Sequence, residues 1–234
     1  PEGLRTLLDH VTLEAPLPDP AARIFAMGGN FPMHVTEVTK NIEVPPSLAD
    51  PASPPWGFFV IPGTTVGPGA TITPPAATKF LDYEAEVAVV LDGTGGIWGY
   101  TGWNDFSIRD PAFKLSLVDH GPLTWSLQKN FAGANAVGPA MVLGEPVDDL
   151  AIACRVNGAT MQEGSTAGMK HGFAAIAAHI EEYLPLRAGD MILSGTPGGT
   201  AMEYGPGGDR WLQDGDVTEV EVGAAGVLRN TVAR

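Results

Sequence analysis

The chain has 234 residues, 44% hydrophobic and 17% charged, a composition that fits a folded globular protein and excludes a disordered one. Its 13 Lys and Arg face 27 Asp and Glu, a net charge of −14, which argues against nucleic acid or an anionic membrane as a partner. One cysteine, Cys154, allows no internal disulfide, and no apolar run is long enough to span a bilayer, so the expected setting is reducing and cytoplasmic.

Gly 30 and Pro 21 make up about a fifth of the chain, and they punctuate short Val- and Ile-rich runs, the pattern of many strands joined by turns. Residues 1–22 read as an N-terminal arm and 23–234 as one catalytic-size domain. Residues 23–27 read as a strand ending at the Gly28-Gly29-Asn30 turn, and Pro32 starts one or two helical turns through Lys40. Residues 44–57, rich in Pro, Ser and Ala, read as a loop able to act as a lid. Strands are expected at 58–61, 84–91, 98–103, 141–143, 152–156 and 191–193, with Cys154 buried in one of them. Residues 173–183 carry the long helix, and 218–222 with 226–232 form a closing hairpin. The expected class is mainly β with a few helices, a mixed β-roll or barrel of α+β type.

Glu84 and Glu86 lie two apart in a strand, so both carboxylates project from one face. The residues that follow are Val, Ala, Val and Val. A strand this apolar is buried, and two adjacent buried carboxylates need a proton, a basic partner or a metal. Asp105, at the end of the next strand, completes a three-oxygen group if the two strands are neighbours. Oxygen-only ligands suit Mg²⁺, Mn²⁺ or Ca²⁺ rather than zinc. Spacing alone favours a solvated acidic face on an edge strand over a metal site.

His34 and Glu37 are three apart and share a helix face, where a carboxylate can orient an imidazole as a general base; a solvated surface pair has the same spacing. Lys129 stands alone in 127–131 and could neutralise a developing enolate, or lie on the surface. Arg109 and Asp110 read as an ion pair. Thr196-Pro197-Gly198-Gly199 offers backbone N–H groups and a hydroxyl in a turn, which suits a carboxylate ligand. His10, His120, His171 and His179 show no metal-ligand spacing, which disfavours a His-ligated oxygenase.

In order along the chain, Gly28-Gly29-Asn30-Phe31-Pro32-Met33-His34-Val35-Thr36-Glu37, Asp82-Tyr83-Glu84-Ala85-Glu86-Val87-Ala88, and Gly99-Tyr100-Thr101 with Asn104-Asp105-Phe106-Ser107-Ile108-Arg109-Asp110 resemble the motifs of the fumarylacetoacetate hydrolase family. So do Val156-Asn157-Gly158 with Gln162, Ser194-Gly195-Thr196-Pro197-Gly198-Gly199 and Leu228-Arg229-Asn230. The resemblance covers most of the chain. It implies the family's mixed β-roll and commonly a homodimer. It also implies one Mg²⁺ or Mn²⁺ per chain on Glu84, Glu86 and Asp105. His34 and Glu37 would be the water-activating pair on a lid, with Lys129 as a further catalytic group. Asn30, Arg109, Gln162, Gly195 and Thr196 would contact a small anionic oxo-acid substrate.

Three departures stand out. Ile61-Pro62 replaces a Lys-Pro, Phe31 replaces a Tyr, and the segment from Glu86 to Asp105 is short and lacks a helix. The activity implied is metal-dependent hydrolysis of a C–C bond in a 1,3-diketo or acylpyruvate-type acid. The alternatives are decarboxylation or keto–enol isomerisation of a 2-oxo acid and, in another class, a catalytically inert metal-binding fold.

Overall fold

The computed structural model describes residues 11–17, 21–44, 46–114 and 121–234. More than half of the proposed arm and the histidines at 10 and 120 therefore lie outside the described residues.

In chain order the elements are β1 (Ile24–Met27), α1 (Pro32–Val38), α2 (Pro46–Ala49), β2 (Gly57–Val60), β3 (Thr65–Val66), β4 (Thr71–Ile72) and β5 (Leu81–Asp82). They continue as β6 (Ala85–Leu91), β7 (Ile97–Asp105), β8 (Ser107–Ile108), α3 (Gly121–Lys129), β9 (Asn135–Leu143), β10 (Ala151–Val156) and β11 (Ala159–Ser165). Last come α4 (Phe173–Glu181), β12 (Met191–Leu193), β13 (Val217–Val222) and β14 (Val227–Val232). The fold is thus mostly β with four helices, as the turn-punctuated sequence predicts.

A seven-stranded mixed sheet runs β2-β1-β12-β6-β7-β9-β3 and curls into a half-barrel. A five-stranded sheet runs β11-β10-β13-β14-β4, and β5 pairs with β8. Sheet order places β6 between β12 and β7, and every residue of β6 is buried. Its alternation divides the interior. Ala85, Val87, Val89 and Leu91 enter the main core with Tyr100, Ile152 and Val220, whereas Ala88 and Val90 enter a second core with Trp103, Met191 and Leu193. A strand buried on both faces reads as a continuous apolar run, which is why this one stood out in the sequence. Helix α4 buries Phe173, Ile176 and Ala177, the i, i+3, i+4 stripe that made it legible. No helix among the described residues is long and apolar enough to cross a membrane.

Four elements depart from the expectation. The loop at 44–57 contains the short helix α2, β9 begins six residues before the expected 141, and α3 and β11 were not expected at all. Strand β11 lies at a sheet edge with little buried surface, so it lacks the apolar alternation that marks a strand.

The start of β1 is tied to β12 by an ion pair. Asp190, buried, accepts from the Arg23 guanidinium, from the Arg23 backbone N–H at 3.2 Å and from the Arg187 N–H at 2.8 Å. Burial works to raise its pKa, but the Arg23 hydrogen bonds outweigh it and hold the carboxyl below its ordinary value. Arg23→Met should destabilise the fold by about 2 kcal/mol at neutral pH, less than the ~3–5 of a fully buried pair because water still reaches the guanidinium. Since the native pKa is depressed, this contribution is complete above the ordinary 3.8 and fades as pH falls through the native value. Denaturant melts of both proteins should therefore converge on acidification; a deficit independent of pH would contradict the assignment.

Candidate active site and metal centre

The antiparallel pairing of β6 with β7 sets Trp103 opposite Glu86 and Asn104 opposite Ala85. The last residue of β7 thus lies beside the entry to β6, and the Asp105 N–H donates to the Glu84 carbonyl at 2.9 Å. This register brings Glu84, Glu86 and Asp105 together: one carboxylate oxygen from each lies within 4.8 Å of the others, and all three residues are buried. The solvated acidic face that spacing also allowed is not formed.

A fourth carboxylate, Asp82, stands at the end of β5. Pairing of β5 with β8 sets Asp82 opposite Ser107, which brings Arg109 over the group. The Arg109 guanidinium donates to Asp82 at 3.1 Å and also to Glu84. Arg109 does not pair with Asp110, as the sequence suggested; that carboxylate instead accepts the backbone N–H groups of Lys79 and Phe80 at 3.0 Å. Lys129, the last residue of α3, donates to Glu84 and, at 2.6 Å, to Asp105. Asn135 holds this helix end by donating to the Lys129 carbonyl at 3.0 Å.

The electrostatics are uneven. Burial works to raise Glu84, but Arg109 and Lys129 overcome it and hold Glu84 down at about 2. Burial, Asp105 and Glu84 push Glu86 well above the carboxylate range. Burial, opposed by Lys129 and aided by Glu84, lifts Asp105 to about 7. Burial alone would discharge Lys129, but Asp105 and Glu84 more than offset that and raise its pKa. One oxygen of Asp105 is buried with no hydrogen-bond partner.

His34, on α1, does not pair with Glu37. Glu37 turns outward to Lys40, one turn along the helix, and the partner of His34 is Glu203, whose Oε1 lies 2.6 Å from Nδ1. The second oxygen of Glu203 accepts the Gly199 N–H at 2.8 Å. Glu203 belongs to a short 3-10 turn, Ala201–Tyr204, whose first N–H groups point at Asp82: Ala201 at 2.7 Å and Met202 at 3.3 Å. Asp82 therefore caps the turn that carries the histidine's partner. Glu203 lies 169 residues from His34 and in no recognised motif string, so only its place shortly after the Thr196 turn hinted at a role.

The expected substrate contacts are mostly engaged with the protein itself. Asn30 bridges β1 to the 171 and 194 regions, donating to the Ser194 and His171 carbonyls and accepting the His171 N–H. Gln162 accepts the Ala85 N–H at 3.0 Å and donates to Thr196 Oγ1 and the Pro197 carbonyl at 2.8 Å. Thr196 donates to the Ala85 carbonyl, and the Gly195 N–H donates to Glu86 at 3.1 Å. Gly195 has φ +77°, and a Cβ there would meet the Met27 carbonyl at 3.1 Å, so glycine is required for this N–H to reach Glu86. Ile61, at the Lys-Pro position of the motif, is largely exposed.

His34, Glu84, Glu86, Arg109, Lys129 and Thr196 line one cavity of about 610 Å³ of non-atom space, part of it open to solvent. Trp56 forms part of its wall by lying against Gly28, where a Cβ would overlap the indole at 1.7 Å. Trp125 lines it too, whereas Trp103 belongs to the core. The arrangement can hold a hard cation at one end and move a proton at His34.

Comparison with known proteins agrees with this geometry. Mitochondrial oxaloacetate tautomerase fahd2 of Xenopus laevis is 30% identical over 236 residues, covering 95% of this chain and 69% of that one. The solved fumarylacetoacetate hydrolase of Exiguobacterium antarcticum superposes with a TM-score of 0.77 at 30% identity, covering 97% of this chain and 80% of that one. Fumarylpyruvate hydrolase from Pseudomonas aeruginosa, solved with Mn²⁺ and pyruvate, shares the fold at TM-score 0.74 and 21% identity, over 90% and 89% of the two chains. Residues 23–233 match the family described as fumarylacetoacetate (FAA) hydrolase C-terminal. The chain belongs to the fumarylacetoacetate hydrolase family, whose members are enzymes.

Proposed function

We propose that this protein is a divalent-metal-dependent hydrolase that cleaves a C–C bond in an acylpyruvate-type 2-oxo acid. The observation that carries this reading is one cavity that joins a three-carboxylate centre to an imidazole already held by a carboxylate.

The donor set fits the ion. Among the described residues, the Lys and Arg paired with the cluster of Asp82, Glu84, Glu86 and Asp105 are Arg109 and Lys129, which leaves two negative charges, the charge of one divalent cation. The unpartnered Asp105 oxygen and the raised Glu86 and Asp105 say the same: without an ion, protons supply part of the balance. Glu84, Glu86 and Asp105 would hold Mg²⁺ or Mn²⁺, as all-oxygen ligands favour. A bound ion supplies Lewis-acid stabilisation of negative charge gathering on the oxo-acid oxygens.

The chain's own residues do the rest. Glu203 keeps the Nδ1 proton of His34 directed at itself, which leaves Nε2 as the acceptor. His34 then takes a proton from water as the water oxygen adds to the distal acyl carbonyl. The C–C bond electrons leave with the three-carbon fragment as its enolate, which regains a proton and becomes pyruvate. Lys129, within the carboxylate cluster, adds positive charge on the side where that enolate forms. Arg109 holds Glu84 ionised. Asn30 and Gln162 act as positioning residues through the backbone they tie.

A second reading is keto–enol tautomerisation of a 2-oxo acid, favoured by the name of the Xenopus relative. Here His34 would relay a proton between carbon and oxygen with no attacking water.

Mg²⁺ or Mn²⁺ at about a hundred times Kd should stabilise the fold by about 2.7 kcal/mol, read as a thermal shift, and Asp105→Asn should abolish it. Because Asp105 sits at about 7 and must lose its proton to bind, metal affinity should rise as pH climbs through that value. An unchanged affinity from pH 6 to 8 would refute the assignment.

His34→Ala should lower kcat/KM on acylpyruvates by roughly 10²–10⁴-fold. Glu203→Gln should lose at least about tenfold, and Glu37→Gln should stay within about twofold of wild type. A crippled Glu37→Gln beside a fully active Glu203→Gln would reverse the assignment of the two carboxylates. Proton NMR of products separates the readings: pyruvate plus a free acid marks hydrolysis, an exchanged C3 proton with intact carbon chain marks tautomerisation.

A further inference from the structure

We infer that the substrate group distal to the oxo acid is neutral and apolar, an alkyl or aryl acyl chain rather than a second carboxylate. The inference rests on the oxo-acid reading above and concerns the apolar lining of the same cavity.

Much of the lining is hydrocarbon. Val38, Ile42, Val44 and Leu48, from α1, α2 and the stretch between them, line the cavity, as do Trp56 and Trp125, with ring centroids 5.4 Å apart. Such a lining binds a chain or ring by removing both surfaces from water.

Its charged groups are already taken. Among the described residues, the Lys and Arg lining the cavity are Arg109 and Lys129, and both are engaged with Asp82, Glu84 and Asp105. His34 is engaged with Glu203. Outside the cavity lining, Lys40 pairs with Glu37 and Arg210 lies over the Tyr204 ring at 4.0 Å. Lys170 lines the smaller adjoining cavity, where it donates to Ser53 Oγ at 2.6 Å and to the Asp50 carbonyl. The buried donor lining the cavity without a partner is the neutral Trp125 indole N–H. A second carboxylate would enter an apolar pocket of a protein with net charge −14 and find no free cation among the described residues lining it.

The test is titration calorimetry of the full chain with Mg²⁺, using pyruvate, 2-oxohexanoate and 2-oxoadipate. The last two have the same six-carbon skeleton and differ by the terminal carboxylate. The expected result is 2-oxohexanoate binding at least ten times tighter than both others. In Leu48→Arg that preference over 2-oxoadipate should shrink or reverse while Mg²⁺ affinity, measured without oxo acid, stays as in wild type. If pyruvate binds but 2-oxoadipate equals or exceeds 2-oxohexanoate, this inference fails and the oxo-acid reading stands. If none of the three binds in the presence of Mg²⁺, both fail.

Discussion

Four carboxylates buried around two cations form the constraint on which the site depends. Each charge taken from water must be met by an opposite charge or a proton. Asp82, Glu84, Glu86 and Asp105 come from the ends of β5, β6 and β7, while Arg109 follows β8 and Lys129 ends α3. Bringing them to one point requires the β6–β7 register, the short β5–β8 pair and the seating of α3 all at once. The cluster is therefore both a product of the fold and a reason for its local precision: a one-residue slip of β7 would send Asp105 to the opposite face.

The same cluster governs the proton-handling side of the cavity. Asp82 caps the 3-10 turn that carries Glu203, and Glu203 holds His34. Gly195, in the turn after β12, donates to Glu86, and Thr196 and Gln162 lock that turn to the start of β6. Several polar side chains thus act as internal struts. Their amides and hydroxyls satisfy backbone groups that burial would otherwise leave without partners, a demand on any irregular backbone inside a protein. This is why several residues expected at the substrate are themselves hydrogen-bonded to the protein's own backbone.

Much was legible where the signal is local. The alternation in 84–91 marked β6, the i, i+3, i+4 stripe marked α4, and the two-residue spacing of Glu84 and Glu86 placed them together. Helix α3 was hidden because it opens on Gly-Pro and is far less apolar than α4, although it delivers Lys129. Glu37 was the natural partner for His34 because helix geometry puts them on one side. Tertiary packing overrode it: Lys40 drew Glu37 outward, and the turn after Thr200 offered a carboxylate better shielded from water.

By itself the sequence determined the class of fold, the face on which two of the acids stand, and the kinship that the ordered motifs declare. These follow from side-chain period, turn chemistry and short spacings, which act over a few residues. Which cation meets which carboxylate, which acid holds the imidazole, and how much of the cavity lining is hydrocarbon were decided only in three dimensions. Those choices join residues as far apart as 34 and 203. They are settled by competition among charges in a low-dielectric interior, where a partner's position matters as much as its identity.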